Sequence, residues 1–251
     1  MNEVRASSTT AGRETSFRTS PSGRLRSLLM DGGDPVLLLG AGASITSGIH
    51  AAGPTVERAA RWAWCKENGR HPDDIAIRRS DYWPWLTAQP WFKPDLSPAE
   101  LYPDAIDNLL GVKSDRREFF ERLINPPNIP PSRGYVALTQ ILHHGWISTV
   151  LTTNFDECLK RAQILNNRPH RLVSISTPAD YVMFSSVPQD PQVIFLHGSV
   201  THYTDKNLTH EVKSLDPQLV ARLCPLLQDH PVIVVGYRGA EGSVMRDLFL
   251  A

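Results

Sequence analysis

Four short stretches of the sequence end an apolar run with residues that can bind a ligand or move a proton. They are residues 40–44, 152–156, 197–199 and 236–241. Glycine turns let phosphate groups approach backbone amides, and carboxamides and carboxylates orient hydroxyl and amide groups. Imidazole exchanges protons near neutral pH. The set predicts a cleft for a ligand that carries phosphate, ribose and purine groups.

The first stretch reads Gly40-Ala41-Gly42-Ala43-Ser44 and follows the apolar run 36–39. Two glycines stand where the backbone must turn from a strand into a helix, and without a Cβ they would let a diphosphate approach the helix N-terminus. Ile45 replaces the third glycine of the dinucleotide-binding pattern. A turn that uses its glycines only for close packing remains an equal alternative.

The second stretch carries Asn154 and Asp156 directly after a strand. The carboxyl ends of strands in an open parallel sheet border the ligand crevice, so both side chains are expected to face the cleft of the glycine turn. The alternative is that they only cap the following helix.

The third stretch places His197 at the end of a buried strand, before Gly198. This placement suits general acid–base chemistry, although a single histidine can also be structural. In the fourth stretch, Gly236, Tyr237 and Glu241 suit a purine ring and ribose hydroxyls, with an ordinary glycine turn as the alternative.

The segments around these stretches predict an α/β fold, a doubly wound, Rossmann-like parallel sheet. Strands are expected at residues 36–39, 146–151, 171–175, 192–196 and 231–235, and helices at 23–30, 156–165, 217–227 and 243–249. Residues 53–145 break the alternation and predict a mainly helical cap inserted between the first two strands. Its tryptophans are expected in its core. Residues 1–22 predict a disordered leader before one domain at 23–251.

Composition restricts the class of protein. The 251 residues contain 26 Lys and Arg against 26 Asp and Glu, so we expect no direct nucleic acid binding. No apolar run approaches the roughly 20 residues that span a bilayer, so no membrane contact is expected. The isolated cysteines, Cys65, Cys158 and Cys224, favour a reducing cytoplasm and indicate no metal site.

Taken in order, the four stretches resemble the sirtuin superfamily, and more closely the sirtuin-like domains of bacterial antiphage defence effectors. The resemblance runs over about residues 35–249 and extends to residues 205–209. Two departures weaken the alternative of a protein deacylase. The two CxxC pairs of the deacylase zinc module are missing, and residues 50–53 replace its Pro-x-Phe-Arg element.

The resemblance implies that NAD is hydrolysed to nicotinamide and ADP-ribose without a metal. Asn154 would orient the ribose and a water, His197 would act as general base, and Asp156 would bind the nicotinamide carboxamide. Ser44 and the amides of Gly42 and Ala43 would hold the diphosphate. The other expected NAD contacts are Gly40, Ala41, Thr153 and Gly198, with Gly236, Tyr237 and Glu241 at the adenosine half.

The resemblance also implies partners. A homo-oligomer is expected, together with a sensor protein that is separate or fused beyond residue 251 and that triggers NAD depletion. The remaining alternative is a silent module that senses NAD or ADP-ribose and controls a partner without cleaving the ligand. A branched residue at Gly42 is expected to block the diphosphate.

Overall fold

The first described element is a helix whose N-terminus is capped by a serine side chain. The computed structural model describes residues 20–97, 100–124, 130–166, 171–199, 214–239 and 242–250. Ser20 precedes helix α1 (Pro21–Met30), and its hydroxyl accepts a hydrogen bond from Gly23 N at 3.1 Å. This Ser–Pro start is a common N-terminal signal, so the helix includes the last two residues of the predicted leader. Residues 1–19 lie outside the described residues.

Five parallel strands form one sheet. They are β1 (Val36–Leu39), β2 (Thr149–Thr152), β3 (Val173–Ile175), β4 (Gln192–Phe195) and β5 (Val232–Val235), in the order β3-β4-β2-β1-β5. All four pairings are parallel. The predicted doubly wound α/β class is therefore confirmed.

Helices cover both faces of the sheet, as an all-parallel sheet requires. On one face, α8 (Pro217–Asp229) packs Leu219 and Leu223 against alternate strand residues such as Leu38. On the other face, α6 (Arg133–His143) and α7 (Cys158–Leu165) pack against the intervening strand residues. The chain ends its described part in α9 (Gly242–Val244), which continues as a π-helical turn, Met245–Phe249.

The segment between β1 and β2 is helical, as predicted. It contains α2 (Ala52–Glu67), α3 (Arg79–Thr87), α4 (Tyr102–Leu109) and α5 (Lys113–Ile124), followed by α6. Trp62 of α2 is buried against α5, where its ring lies edge-on to Phe119. The other tryptophans of the segment are only partly buried, so the prediction of core tryptophans holds fully for Trp62 alone among them.

Two predicted boundaries shift for local reasons. The second strand begins at Thr149 instead of Trp146, because Gly145 turns with a φ of 68° and the indole of Trp146 stacks on His144. Helix α7 begins at Cys158 instead of Asp156, whose carboxylate accepts a hydrogen bond from Cys158 N. In the described part of the chain, no helix is long and apolar enough to cross a membrane.

Candidate active site

The last residues of four strands lie level with one another. Leu39 pairs with both Thr152 and Val235, and Thr152 pairs with Phe195. The stretches that follow these residues therefore start from one edge of the sheet, with neighbouring strands about 4.8 Å apart. Asn154 and His197 each stand two residues beyond a paired position. The sheet thus brings the described parts of all four stretches to its carboxyl edge.

Ser44 is the centre of a buried hydrogen-bond network at this edge. Its hydroxyl lies 2.6 Å from Asp156 Oδ2, 2.7 Å from Tyr135 Oη and 3.0 Å from Asn154 Nδ2. A serine hydroxyl has one proton and two lone pairs. Because the proton goes to the carboxylate, Tyr135 and Asn154 both donate to Ser44 Oγ. The hydroxyl is therefore saturated by protein groups.

Tyr135 is a site residue that the sequence reasoning missed. It lies on α6, is 4% exposed, and its phenol is also 3.5 Å from Asn154 Nδ2. Burial, followed by the charge of Asp156, raises the pKa of Tyr135 above its usual range, so the hydroxyl stays protonated. The helical spacing of Tyr135, Leu138 and Leu142 could have placed this side chain on a buried face, but it indicates nothing about the network.

Asn154 is fixed through one end of its carboxamide. Nδ2 donates to Gly40 O at 3.1 Å and to Ser44 Oγ. Its Oδ1 accepts no hydrogen bond from the described residues. The amide oxygen is therefore held in place with its lone pairs available to a ligand hydroxyl or a water.

Asp156 has a structural role as well as a candidate binding role. One carboxylate oxygen accepts from Ser44, and the other accepts from Cys158 N at 2.9 Å, next to the start of α7. Asp156 therefore binds the first amide of α7, although the N-cap residue is Glu157 and not Asp156 as the capping interpretation proposed. Burial raises the pKa of the neighbouring Cys158 thiol to about 12, and Asp156 adds to the effect.

The glycines of the first and fourth stretches touch each other. A Cβ on Gly42 would lie 2.8 Å from Gly236 Cα, and one on Gly40 would lie 2.5 Å from Tyr237 Cα. Gly236 has a φ of +69°, and a Cβ there would lie 2.2 Å from Ala43 N. Close backbone packing therefore explains these glycines, as the alternative interpretation of the turn proposed.

The amides expected at the diphosphate are already used. Gly42 N donates to Gly236 O at 2.9 Å, and Ala43 N donates to Gly40 O at 2.9 Å. Ser44 Oγ is saturated as well, so the three groups that were expected to bind the diphosphate already have hydrogen-bond partners within the protein. Ala41 and Gly42 themselves are exposed at the turn. Contact between NAD and these residues stays a prediction.

The remaining predicted residues lie around the same edge. His197 is 3% exposed, directly beyond β4, and Gly198 follows with a φ of 79°. Thr153 is buried, and its amide donates to Leu39 O at 3.0 Å. Tyr237 is partly buried against the glycine turn. Glu241 and residues 205–209 lie outside the described residues, and their predicted contacts stay predictions.

Within the described ranges, the structure shows no group of three or more His, Cys, Asp or Glu that could hold a metal ion. The prediction that the site uses no metal stays a prediction.

The sheet and its site define an open, Rossmann-like α/β protein with polar residues gathered at the carboxyl edge. The family model of the SIR2-like domain matches residues 148–249, less than half of the chain. This match supports a sirtuin-like domain with an NAD-related activity. It covers β2 to β5 with Asn154, Asp156 and His197, whereas the glycine turn and Tyr135 precede it. Comparison with curated proteins gives no match.

Proposed function

We propose that the protein hydrolyses the bond between nicotinamide and ribose in NAD. The supporting observation is that Asn154 and His197 follow paired positions of β2 and β4 at the ligand-binding edge of the sheet. The match of residues 148–249 to the SIR2-like domain supports NAD as the ligand.

The residues suit this reaction. The C1′–N bond breaks with its electron pair moving into the pyridinium ring, so nicotinamide leaves as a neutral molecule. The oxygen of a water forms the new bond to C1′ and loses a proton to His197. The transition state resembles an oxocarbenium ion, which needs a fixed ribose and a positioned water.

Asn154 is suited to the positioning step. Its Nδ2 is bound to Gly40 O and Ser44 Oγ, so the carboxamide is oriented before a ligand arrives. Oδ1 would accept from a ribose hydroxyl or from the attacking water. Asp156, held by Ser44, has further lone pairs for the amide of nicotinamide.

We also propose a biological role, which the resemblance of the four stretches supports. NAD hydrolysis would act in the cytoplasm as a triggered effector of antiphage defence, in a homo-oligomer and under the control of a sensor protein. This role predicts that an activated protein depletes cellular NAD.

A second candidate function is binding of NAD or ADP-ribose without turnover. One observation favours it: His197 is only 3% exposed, whereas a general base must reach the substrate. A module that only senses NAD has no need of a proton acceptor.

The test is chromatography of NAD after incubation with the protein at high concentration. We expect nicotinamide and ADP-ribose from the wild type, and turnover reduced about 10²–10⁴-fold in His197→Ala. Asn154→Ala should show a similar loss. His144→Ala is the matched control, because His144 is exposed near the amino end of β2, at the opposite edge of the sheet.

The outcomes separate the candidates. Equal turnover by His197→Ala would remove this residue from the mechanism. Thermal stabilisation by NAD without turnover in any variant would favour the sensing module. If the protein neither hydrolyses NAD nor is stabilised by it, NAD is rejected as the ligand.

A further inference from the structure

A large cavity lies among the helices between β1 and β2. It has a volume of about 720 Å³, within the range of small-molecule pockets. Its walls come from α2, α3, α5 and the loop at residues 72–75. The lining includes none of Ser44, Asn154, Asp156 or His197. The cavity is therefore distinct from the candidate active site.

The two carboxylates in the wall are each next to an arginine. Glu57 lies 3.2 Å from Arg79 Nε, and Asp73 lies 3.4 Å from Arg122 Nη1. Arg122 also pairs with Glu118 at 3.0 Å, so this arginine of the wall is engaged by two carboxylates.

Two further arginines, Arg58 and Arg61, give the cavity a cationic wall. Neither forms an ion pair with a carboxylate among the described residues. Arg61 Nη2 donates instead to the main-chain oxygen of Asp74 at 2.6 Å, which fixes the guanidinium in place. Arginine is the side chain best suited to phosphate recognition, because its planar group donates two hydrogen bonds at once.

Two residues of the wall also carry buried hydrogen-bond donors. Arg61 Nε and Trp62 Nε1 are buried, and neither has a hydrogen-bond partner among the described residues. Buried donors that lack an acceptor are rare in proteins and cost about 1–3 kcal/mol each. Neither atom has surface open to the cavity, so a ligand there would contact the exposed Arg58 and the partly buried Arg61 instead.

Aromatic side chains also line the cavity. Trp62, Tyr82 and Phe119 all contribute to the wall. An inorganic phosphate would leave most of the 720 Å³ unfilled. A planar ring attached to the phosphate would use the apolar surface as well. We propose that this cavity binds an organic phosphate of mononucleotide size.

The experiment is calorimetric titration of the full chain with AMP, adenosine and inorganic phosphate. We expect AMP to bind more tightly than either fragment. Arg58→Gln combined with Arg61→Gln should weaken AMP binding at least tenfold, because two charged donors are lost. Arg117→Gln is the control, since Arg117 is a surface arginine of α5 that pairs with Glu121 at 3.2 Å. The single variant Arg58→Gln, at an exposed position, keeps the test valid if the double variant does not fold.

Amide hydrogen exchange then locates the bound AMP. We expect AMP to slow the exchange of backbone amides in residues 54–62 and 119–123. Protection confined to residues 36–44 and 232–239 would assign AMP to the candidate active site and overturn the proposal. The proposal is also overturned if AMP does not bind, if the arginine variants bind it normally, or if phosphate alone binds as tightly.

Discussion

The Ser44 network should behave as one energetic unit. Ser44→Ala removes a hydroxyl that donates to Asp156 and accepts from Tyr135 and Asn154. A buried hydrogen bond to a charged group is worth about 1.5–3 kcal/mol. The phenol of Tyr135 then lacks an acceptor, whereas Asn154 Nδ2 keeps Gly40 O. We expect unfolding to become easier by about 3 kcal/mol, or about 6–12 °C in Tm for a domain of this size.

Tyr135→Phe gives the second side of a double-mutant cycle. Alone, it removes one neutral hydrogen bond and should cost about 1 kcal/mol. In the Ser44→Ala background the phenol has already lost its acceptor, so removal of the phenol hydroxyl should cost less or even restore stability. A coupling energy of about 0.5–3 kcal/mol is expected from urea unfolding of the four proteins.

The control for this cycle is Ser148→Ala. Ser148 Oγ also donates to a carboxylate, that of Asp34, at 2.8 Å, but at the amino edge of the sheet. It should not couple with Tyr135→Phe. If Ser44→Ala and Tyr135→Phe are additive within about 0.3–0.5 kcal/mol, the inferred network is wrong.

Three further outcomes are expected. Gly42→Ala should lower Tm, because its Cβ would lie 2.8 Å from Gly236 Cα, and an unchanged Tm with weaker NAD binding would favour the diphosphate explanation instead. Asp216→Ala should cost about 0.5–2 kcal/mol in urea unfolding, since Asp216 caps α8 through Gln218 N at 2.8 Å; an unchanged midpoint would contradict this role. With a pKa of about 12, buried Cys158 is thiolate in only about one molecule in 10⁴ at pH 8, so alkylation followed by mass spectrometry should label Cys224 first. If Cys158 is labelled faster than Cys224, the start of α7 must open to expose it.

The sequence was sufficient for the sheet because its strands are short apolar runs that end in glycine or polar residues. It also predicted which residues gather at one edge, since parallel strands place their carboxyl ends together. Asn154 and Asp156 could be assigned to that edge from their position alone, and both are found in one network with Ser44.

The partners of these residues could not be predicted, because they are distant in sequence. Tyr135 reaches Ser44 from a helix 91 residues later. The carbonyl oxygen of Gly236 accepts the hydrogen bond from Gly42 N, whereas the local sequence pattern predicted that this amide binds a phosphate. A glycine pattern is the same whether its space is filled by a ligand or by another stretch of backbone, so only the fold distinguishes the two uses.

The contact between Gly42 and Gly236 also has a consequence for folding kinetics. Strand β1 lies between β2 and β5, and its turn is completed only when the chain after β5 docks. Contacts between residues so far apart form slowly, since a long loop must be closed before any pairing is gained. The glycine turn should therefore acquire its native shape in a late step, and refolding followed by pulsed hydrogen exchange should show the Gly42 amide protected together with β5.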